Sequence, residues 1–370
     1  MFESTAGWVR GGIPRIVGWR PREAPLTLGG MTTTHEPPTR AAEDVVTPDR
    51  IFAIAQGFMA SKHLFAASEL GLFEALGEGP VDLDGLAART GLTRRTARIS
   101  ADAMVAIGLL ERHGDHYANG AAAATFLSGQ TPADLRPLLR FWDRLSYPAW
   151  QDLAGALGRG RPTHEIFEID DELVPVMSAG IAAATAAACH ALPAAAALPA
   201  ASRVLDIGGG TGSWSVALAS SDAELTATVL EIPEVARVAR DALRATAYGD
   251  RVDVREGDVL VDELPRGYDA FLLANLVHYF TPDTNRAILQ RIREVAEPGA
   301  RVLIADFWTD PTHTQPLPAA LMAGEFAIHV NDGDVYGVEE GGEWLTATGW
   351  RLTSHAQLAG PISLVIGEAV

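Results

Sequence analysis

The chain has 370 residues, enough for two domains with cores of their own, and 48% of them are apolar, which excludes a disordered chain. Its formal net charge of −18 excludes a nucleic acid or an anionic membrane as the main partner, because Lys and Arg neutralising phosphates dominate such binding. Cys189 is the only cysteine, so no disulfide forms within the chain, and a reducing cytoplasm is the expected compartment.

Residues 1–45 are rich in Gly, Pro, Thr and Arg and are predicted to be a disordered extension. Arg10, Arg15, Arg20 and Arg22 precede no apolar segment of the kind a signal peptide needs. No apolar run of transmembrane length is expected anywhere in the chain. From Asp49 to Leu76 two helical patterns are expected. Ile51, Ile54, Ala55, Phe58 and Met59 share one stripe, and Leu64, Phe65, Ser68, Leu72 and Phe73 a second. A helix–turn–helix over Pro80–Gly108 and a hairpin over Leu109–Tyr117 complete a winged-helix shape within a domain of residues 46–130. Arg94, Arg95 and Arg98 open its second helix as in a DNA reader, but the acidic charge of the chain opposes that use.

Residues 131–200 read as a helical connector. Trp142, Tyr147 and Trp150 stand near its start, Met177 enters an Ala-rich helix, and Ala194–Ala201 is a Pro/Ala-rich linker. From Arg203 to the end, strands alternate with helices, which predicts an α/β domain over residues 201–370 with a mostly parallel sheet covered on both faces. Strands are expected at Val204–Asp206, Ala227–Glu231, Val252–Arg255, Ala270–Ala274 and Val302–Asp306, and a terminal β-pair at Arg351–Gln357 and Ser363–Gly367. Ligands of such sheets sit at the carboxyl ends of the strands.

The first strand runs into Asp206-Ile207-Gly208-Gly209-Gly210-Thr211-Gly212, a tight turn before a helix. Glycine is needed where the backbone takes φ > 0 or lies bare against a ligand. The dinucleotide fingerprint would require a glycine at Ser213, and no phosphate-cradling G-x-x-x-x-G-K-[ST] is present. The Asp206 carboxylate suits a cationic ligand and repels a pyrophosphate. Glu231, about twenty residues on, can accept from two ribose hydroxyls. Gly257 and Asp258 close the third strand, and Asn275 and His278 follow the fourth.

This run resembles the first motif of class I S-adenosylmethionine-dependent methyltransferases. Its three consecutive glycines are similar to those of the plant and bacterial small-molecule O-methyltransferases. The resemblance covers about residues 50–370. It implies a Rossmann-like catalytic domain of seven strands, a winged-helix domain used for homodimer formation, and S-adenosylmethionine as cofactor with no metal. It also implies a small aromatic or polyketide acceptor. On that pattern Asp206, Gly208, Gly210, Gly212, Glu231, Gly257, Asp258 and Asn275 hold the cofactor, with Asp258 accepting from the adenine amino group. His278 is the general base, although the family's His-Asp-Trp reads His-Tyr-Phe here. Asp306 and Glu339 are the acids expected to hold it. Trp142, Met177, Met322, Phe326 and Asn331 are the expected acceptor contacts. Carbon or nitrogen methylation, or non-methylating chemistry on the same cofactor, is the alternative within the fold. A winged-helix regulator that senses a small molecule is the alternative outside it.

Overall fold

The computed structural model describes residues 47–162, 170 and 172–370. The predicted disordered extension, residues 1–45, lies outside the described residues. Helix α1 (Asp49–Glu69) opens the described chain, followed by α2 (Leu72–Ala75), β1 (Val81–Asp82), α3 (Leu83–Thr90), α4 (Arg94–Ile107), β2 (Leu110–His113), β3 (His116–Asn119) and α5 (Ala121–Phe126). The first apolar pattern expected before Leu76 shares one continuous helix with Leu64, Phe65 and Ser68 of the second, whereas Leu72 and Phe73 fall in α2. The break falls later, at Gly71, where the backbone turns left-handed at φ 69°. Local chemistry sets the other boundaries. Asp82 caps α3 by accepting from the Gly85 N–H at 2.8 Å, Thr93 caps α4 by accepting from the Thr96 N–H at 3.2 Å, and Gly108 ends α4 at φ 85°. The strands pair in the order β1-β3-β2 and form the wing. Its core includes Phe73, Leu86, Met104 and Tyr117, whereas Ile54, Phe58 and Met59 of α1 are exposed.

The connector comprises α6 (Arg136–Phe141), a π-helical turn (Trp142–Ser146), α7 (Tyr147–Trp150), α8 (Leu153–Arg159) and α9 (Val174–Ala196). Helix α9 runs through Pro193 to Ala196, so the predicted linker begins inside the helix and only its part after Ala196 is non-helical. Among the described residues it alone is long and apolar enough to cross a membrane by length and composition, contrary to the expectation that no such run exists. Alanine supplies much of its apolar character, and it packs on α6, α10 and the last two strands.

The remaining elements are β4 (Arg203–Ile207), α10 (Ser213–Ser221), β5 (Thr226–Glu231), α11 (Pro233–Arg244), β6 (Val252–Glu256), β7 (Ala270–Ala274), α12 (Pro282–Val295), β8 (Arg301–Thr309), α13 (Leu317–His329), β9 (Tyr336–Gly337), α14 (Val338–Ala347), β10 (Trp350–Ala359) and β11 (Ile362–Ala369). The sheet order is β10-β11-β8-β7-β4-β5-β6, with β9 added beside the end of β8. Strands β4 to β8 are parallel, and β10 and β11 form the expected antiparallel pair. Each buried strand is apolar on both faces. Leu205, Ile207, Phe271, Leu273, Val302 and Ile304 belong to one core, and Val204, Val229, Leu272, Ala274, Leu303 and Ala305 to the other.

Candidate active site

Past β4 the chain turns through Gly208, Gly210 and Gly212 at φ 65°, 58° and 81°. A Cβ on Gly208 would come within 2.8 Å of Leu276 Cδ1, and one on Gly212 within 3.1 Å of Leu243. At Gly210 a Cβ would meet nothing within 4 Å, so the backbone there lies bare. Glu231 reaches back from the end of β5. Its Oε1 accepts from the Gly210 N–H at 2.8 Å and its Oε2 from the Ile232 N–H at 3.1 Å. Burial pushes its carboxyl above the usual carboxylate range, against the pull of those two donors.

Neighbouring strand ends carry the other expected cofactor residues. The Gly257 N–H donates to the Glu231 carbonyl at 2.9 Å, and Asp258 Oδ1 accepts from the Leu260 N–H at 2.8 Å. Asn275 stands at φ 53°, its N–H donating to the Ala305 carbonyl at 2.8 Å. Its buried Oδ1 has no hydrogen-bond partner among the described residues. A ligand over Gly210 would therefore find the carboxylate oxygens of Glu231. Acceptors there fit ribose hydroxyls, as an adenosyl cofactor carries, and not a pyrophosphate.

Asp206 departs from the sequence reading, which sets its charge beside the ligand. The strand alternation sends it to the face that α10 covers. It is 0% exposed, Oδ2 accepts from Ser215 Oγ at 2.7 Å, and Oδ1 has no partner among the described residues. A Cβ on Gly209 would lie 2.6 Å from its Cγ, so the carboxyl sits directly beneath the turn. Burial pushes its pKa up to about 7, against the Ser215 hydrogen bond and with help from the Glu231 charge. Such a group is a weak counter-charge at neutral pH.

His278 lies in a 3-10 turn (Val277–Tyr279) just beyond β7 and is 4% exposed. Its Nδ1 is 2.7 Å from Asp306 Oδ1. The same oxygen accepts from the Phe307 N–H at 2.8 Å, and Oδ2 accepts from the N–H groups of Leu276 and Val277, both at 3.1 Å. An ionised carboxylate only accepts, so the Nδ1 proton is on the imidazole and the lone pair is on Nε2. The ring stacks on Phe326 at 4.0 Å and 14°, and Tyr279 and Phe307 flank it at 4.3 and 5.8 Å. The Asp334 N–H donates to the His278 carbonyl at 3.1 Å.

Glu339 makes no hydrogen bond with His278, whose carboxylate partner is Asp306. Glu339 is exposed in the first turn of α14, and the group that feels its charge is His355 of β10. Met322 packs with Phe307 on a small core of Ala319, Phe326 and Val335, and of the expected acceptor contacts Phe326 lies against His278. Trp142, Met177 and Asn331 lie outside that cluster: Trp142 is 38% exposed, Met177 is half-buried on α9 and Asn331 is exposed after α13. Sequence reasoning passed over Glu325, which is buried on α13 and hydrogen-bonded to Ser146 and Trp150. The available signal was a charge inside the apolar spacing Met322, Phe326, His329. No group of three or more metal-ligating side chains stands together among the described residues.

Comparison with known proteins matches two family profiles, an O-methyltransferase dimerisation domain over residues 52–129 and an O-methyltransferase domain over residues 152–351. The chain is 30% identical to the tetracenomycin polyketide synthesis 8-O-methyl transferase TcmO of Streptomyces glaucescens, over 87% of this chain and 96% of that protein. It is 29% identical to the 3-hydroxy-5-methyl-1-naphthoate 3-O-methyltransferase of Streptomyces sahachiroi, over 85% and 92%. A solved structure of PigF with SAH superposes with a TM-score of 0.76 at 26% identity, covering 87% of this chain and all of that one (100%).

Proposed function

The chain belongs to the S-adenosylmethionine-dependent O-methyltransferases, and from that membership we propose that it methylates a phenolic hydroxyl of an aromatic or polyketide-type acceptor with His278 as general base. The observation that carries this reading is the Asp306–His278 contact, which leaves Nε2 free to take a proton. Bound S-adenosylmethionine supplies an electrophilic methyl group. Glu231 accepts from its ribose hydroxyls, Asp258 from its adenine amino group, and Gly208, Gly210, Gly212, Gly257 and Asn275 shape the cradle. Asp206 braces the turn from below.

A phenol titrates near ~10 and a free histidine near ~6.5, so complete proton transfer before attack would cost about 5 kcal/mol. His278 is therefore proposed to take the proton as the methyl moves, from a hydroxyl held in line. Met322 and Phe326 line the acceptor side. The hold on His278 is assigned to Asp306 alone, the carboxylate hydrogen-bonded to its ring. The relatives named above act on polyketide and naphthoate hydroxyls, which supports the acceptor class.

The test is methyl transfer from isotopically labelled S-adenosylmethionine to a panel of hydroxynaphthoates and polycyclic phenols. Wild type should give a singly O-methylated product. His278→Gln should lose roughly 10²–10⁴-fold in rate, the usual worth of a general base. Glu231→Ala should weaken S-adenosylhomocysteine binding about tenfold or more, or about 1.4 kcal/mol. Undiminished turnover by His278→Gln would sink the base assignment.

A further inference from the structure

Met322, Glu325, Phe326 and His329 fall on one face of α13, at the i, i+3, i+4, i+7 spacing of an inward stripe. Such a stripe is ordinarily apolar, yet Glu325 and His329 are each only 7% exposed. Burying a carboxylate is costly unless its oxygens are satisfied, so its partners show what it is for. Ser146 Oγ donates to Glu325 Oε2 at 2.6 Å, and Trp150 Nε1 donates to the same oxygen at 2.5 Å. Glu325 Oε1 lies 3.2 Å from His329 Nε2, within ion-pair reach though outside hydrogen-bond alignment.

Both donors come from the connector, and its backbone is built to deliver them. Ser146 closes the π-helical turn, a rare geometry that recurs at functional sites. Trp150, four residues on, ends α7. Gly324 admits the indole: a Cβ there would lie 2.7 Å from Trp150 Cη2. Burial alone would raise the Glu325 carboxyl, but His329, Ser146 and Trp150 together hold it below its ordinary value, so the carboxylate is the form this arrangement keeps.

Beside Glu325 in the chain stands Phe326, whose ring lies 4.0 Å from the His278 imidazole at an angle of 14°. Asp306 holds one ring nitrogen, and Phe326 holds the ring plane. Together they set the direction of Nε2. We propose that Glu325 is a positioning residue for the reaction: it latches the π-helical turn and α7 to α13 and thereby keeps Phe326 seated on His278. This rests on the reading of His278 as the base.

The experiment uses full-length protein labelled on histidine, with the His278 ring signals identified by their disappearance in His278→Gln. Phe326→Leu marks the unstacked position of those signals. Glu325→Leu keeps the volume but cannot accept, and it should move the His278 signals to the Phe326→Leu position. Trp150→Phe removes one donor and should move them part of the way. Glu325→Gln still accepts from Ser146 and Trp150 through its amide oxygen and should leave them where wild type has them. Affinity for S-adenosylhomocysteine by calorimetry should stay within about twofold throughout. Wild-type His278 signals in both Glu325→Leu and Trp150→Phe would overturn the latch, and Trp150→Phe decides alone if Glu325→Leu does not fold. Methyl transfer by His278→Gln judges the base reading separately, since the latch is read from ring signals and not from turnover.

Discussion

Asp306 serves four donors at once: the His278 ring and the backbone N–H groups of Leu276, Val277 and Phe307. Asp306→Asn would turn an amide NH₂ towards donors that need an acceptor. Each buried N–H left unsatisfied costs about 1–3 kcal/mol, so denaturant unfolding should show a loss of at least that size. The imidazole also loses the partner that fixes its tautomer, and kcat should fall by roughly 10²-fold or more while S-adenosylhomocysteine affinity holds. Asp206 makes a different prediction. An unfolded Asp titrates near ~3.9, and the folded residue is pushed up to about 7. The folded chain therefore keeps a proton that the unfolded chain releases between these values, and stability falls as pH rises through that window. Asp206→Asn has no such proton, so its Tm should decline less than wild type between pH 4 and 7; parallel curves would refute the assignment. The place of His278 was legible because it follows a strand directly. The destination of Asp206 was not, because strand alternation names a face without saying what covers it.

The glycine turn separates two roles that its sequence presents as one. Gly208 faces Leu276, whereas Gly210 faces open space. Both stand at positive φ, so alanine at either position costs about 1–2 kcal/mol in backbone strain. Gly208→Ala must also displace the Leu276 side chain and should be the less stable of the two by thermal unfolding. Gly210→Ala should lose only the stability that the backbone strain costs, and it should bind S-adenosylhomocysteine more weakly, because its methyl enters the ligand's space. Equal binding by Gly210→Ala and wild type would remove this turn from the cofactor site. The strand–turn–helix unit was readable from an apolar run, a glycine cluster and a new periodicity. The boundaries inside the connector were not, because the alanines from Ala194 read as linker while packing made them helix through Ala196.

At the scale of the whole molecule, α1 leaves Ile54, Phe58 and Met59 at 72%, 50% and 52% exposure. Apolar side chains grouped this way mark an interaction surface, and residues 52–129 match a dimerisation domain. The occupant we propose is a second copy of this chain. Ile54→Glu with Phe58→Glu should turn a dimer into a monomer in analytical ultracentrifugation. Wild type sedimenting as a monomer would overturn the assignment. The net charge of −18 opposes use of the winged helix as a DNA reader, and Arg94 and Arg98 are paired with Asp84 and Asp102.

Sequence alone determined the order of strands and helices, the glycine turn, the acid at the end of the second strand and the histidine beyond the fourth. These depend on periodicity, turn chemistry and spacing, which are local properties of a chain. Tertiary structure decided which side chains meet. Ser146 and Trp150 reach Glu325 across 179 and 175 residues, Glu339 stays exposed on α14, and Asp206 sinks beneath the turn it was expected to charge. No local pattern encodes those outcomes, because each depends on which distant element covers a given face and on the cost of burying a charge there.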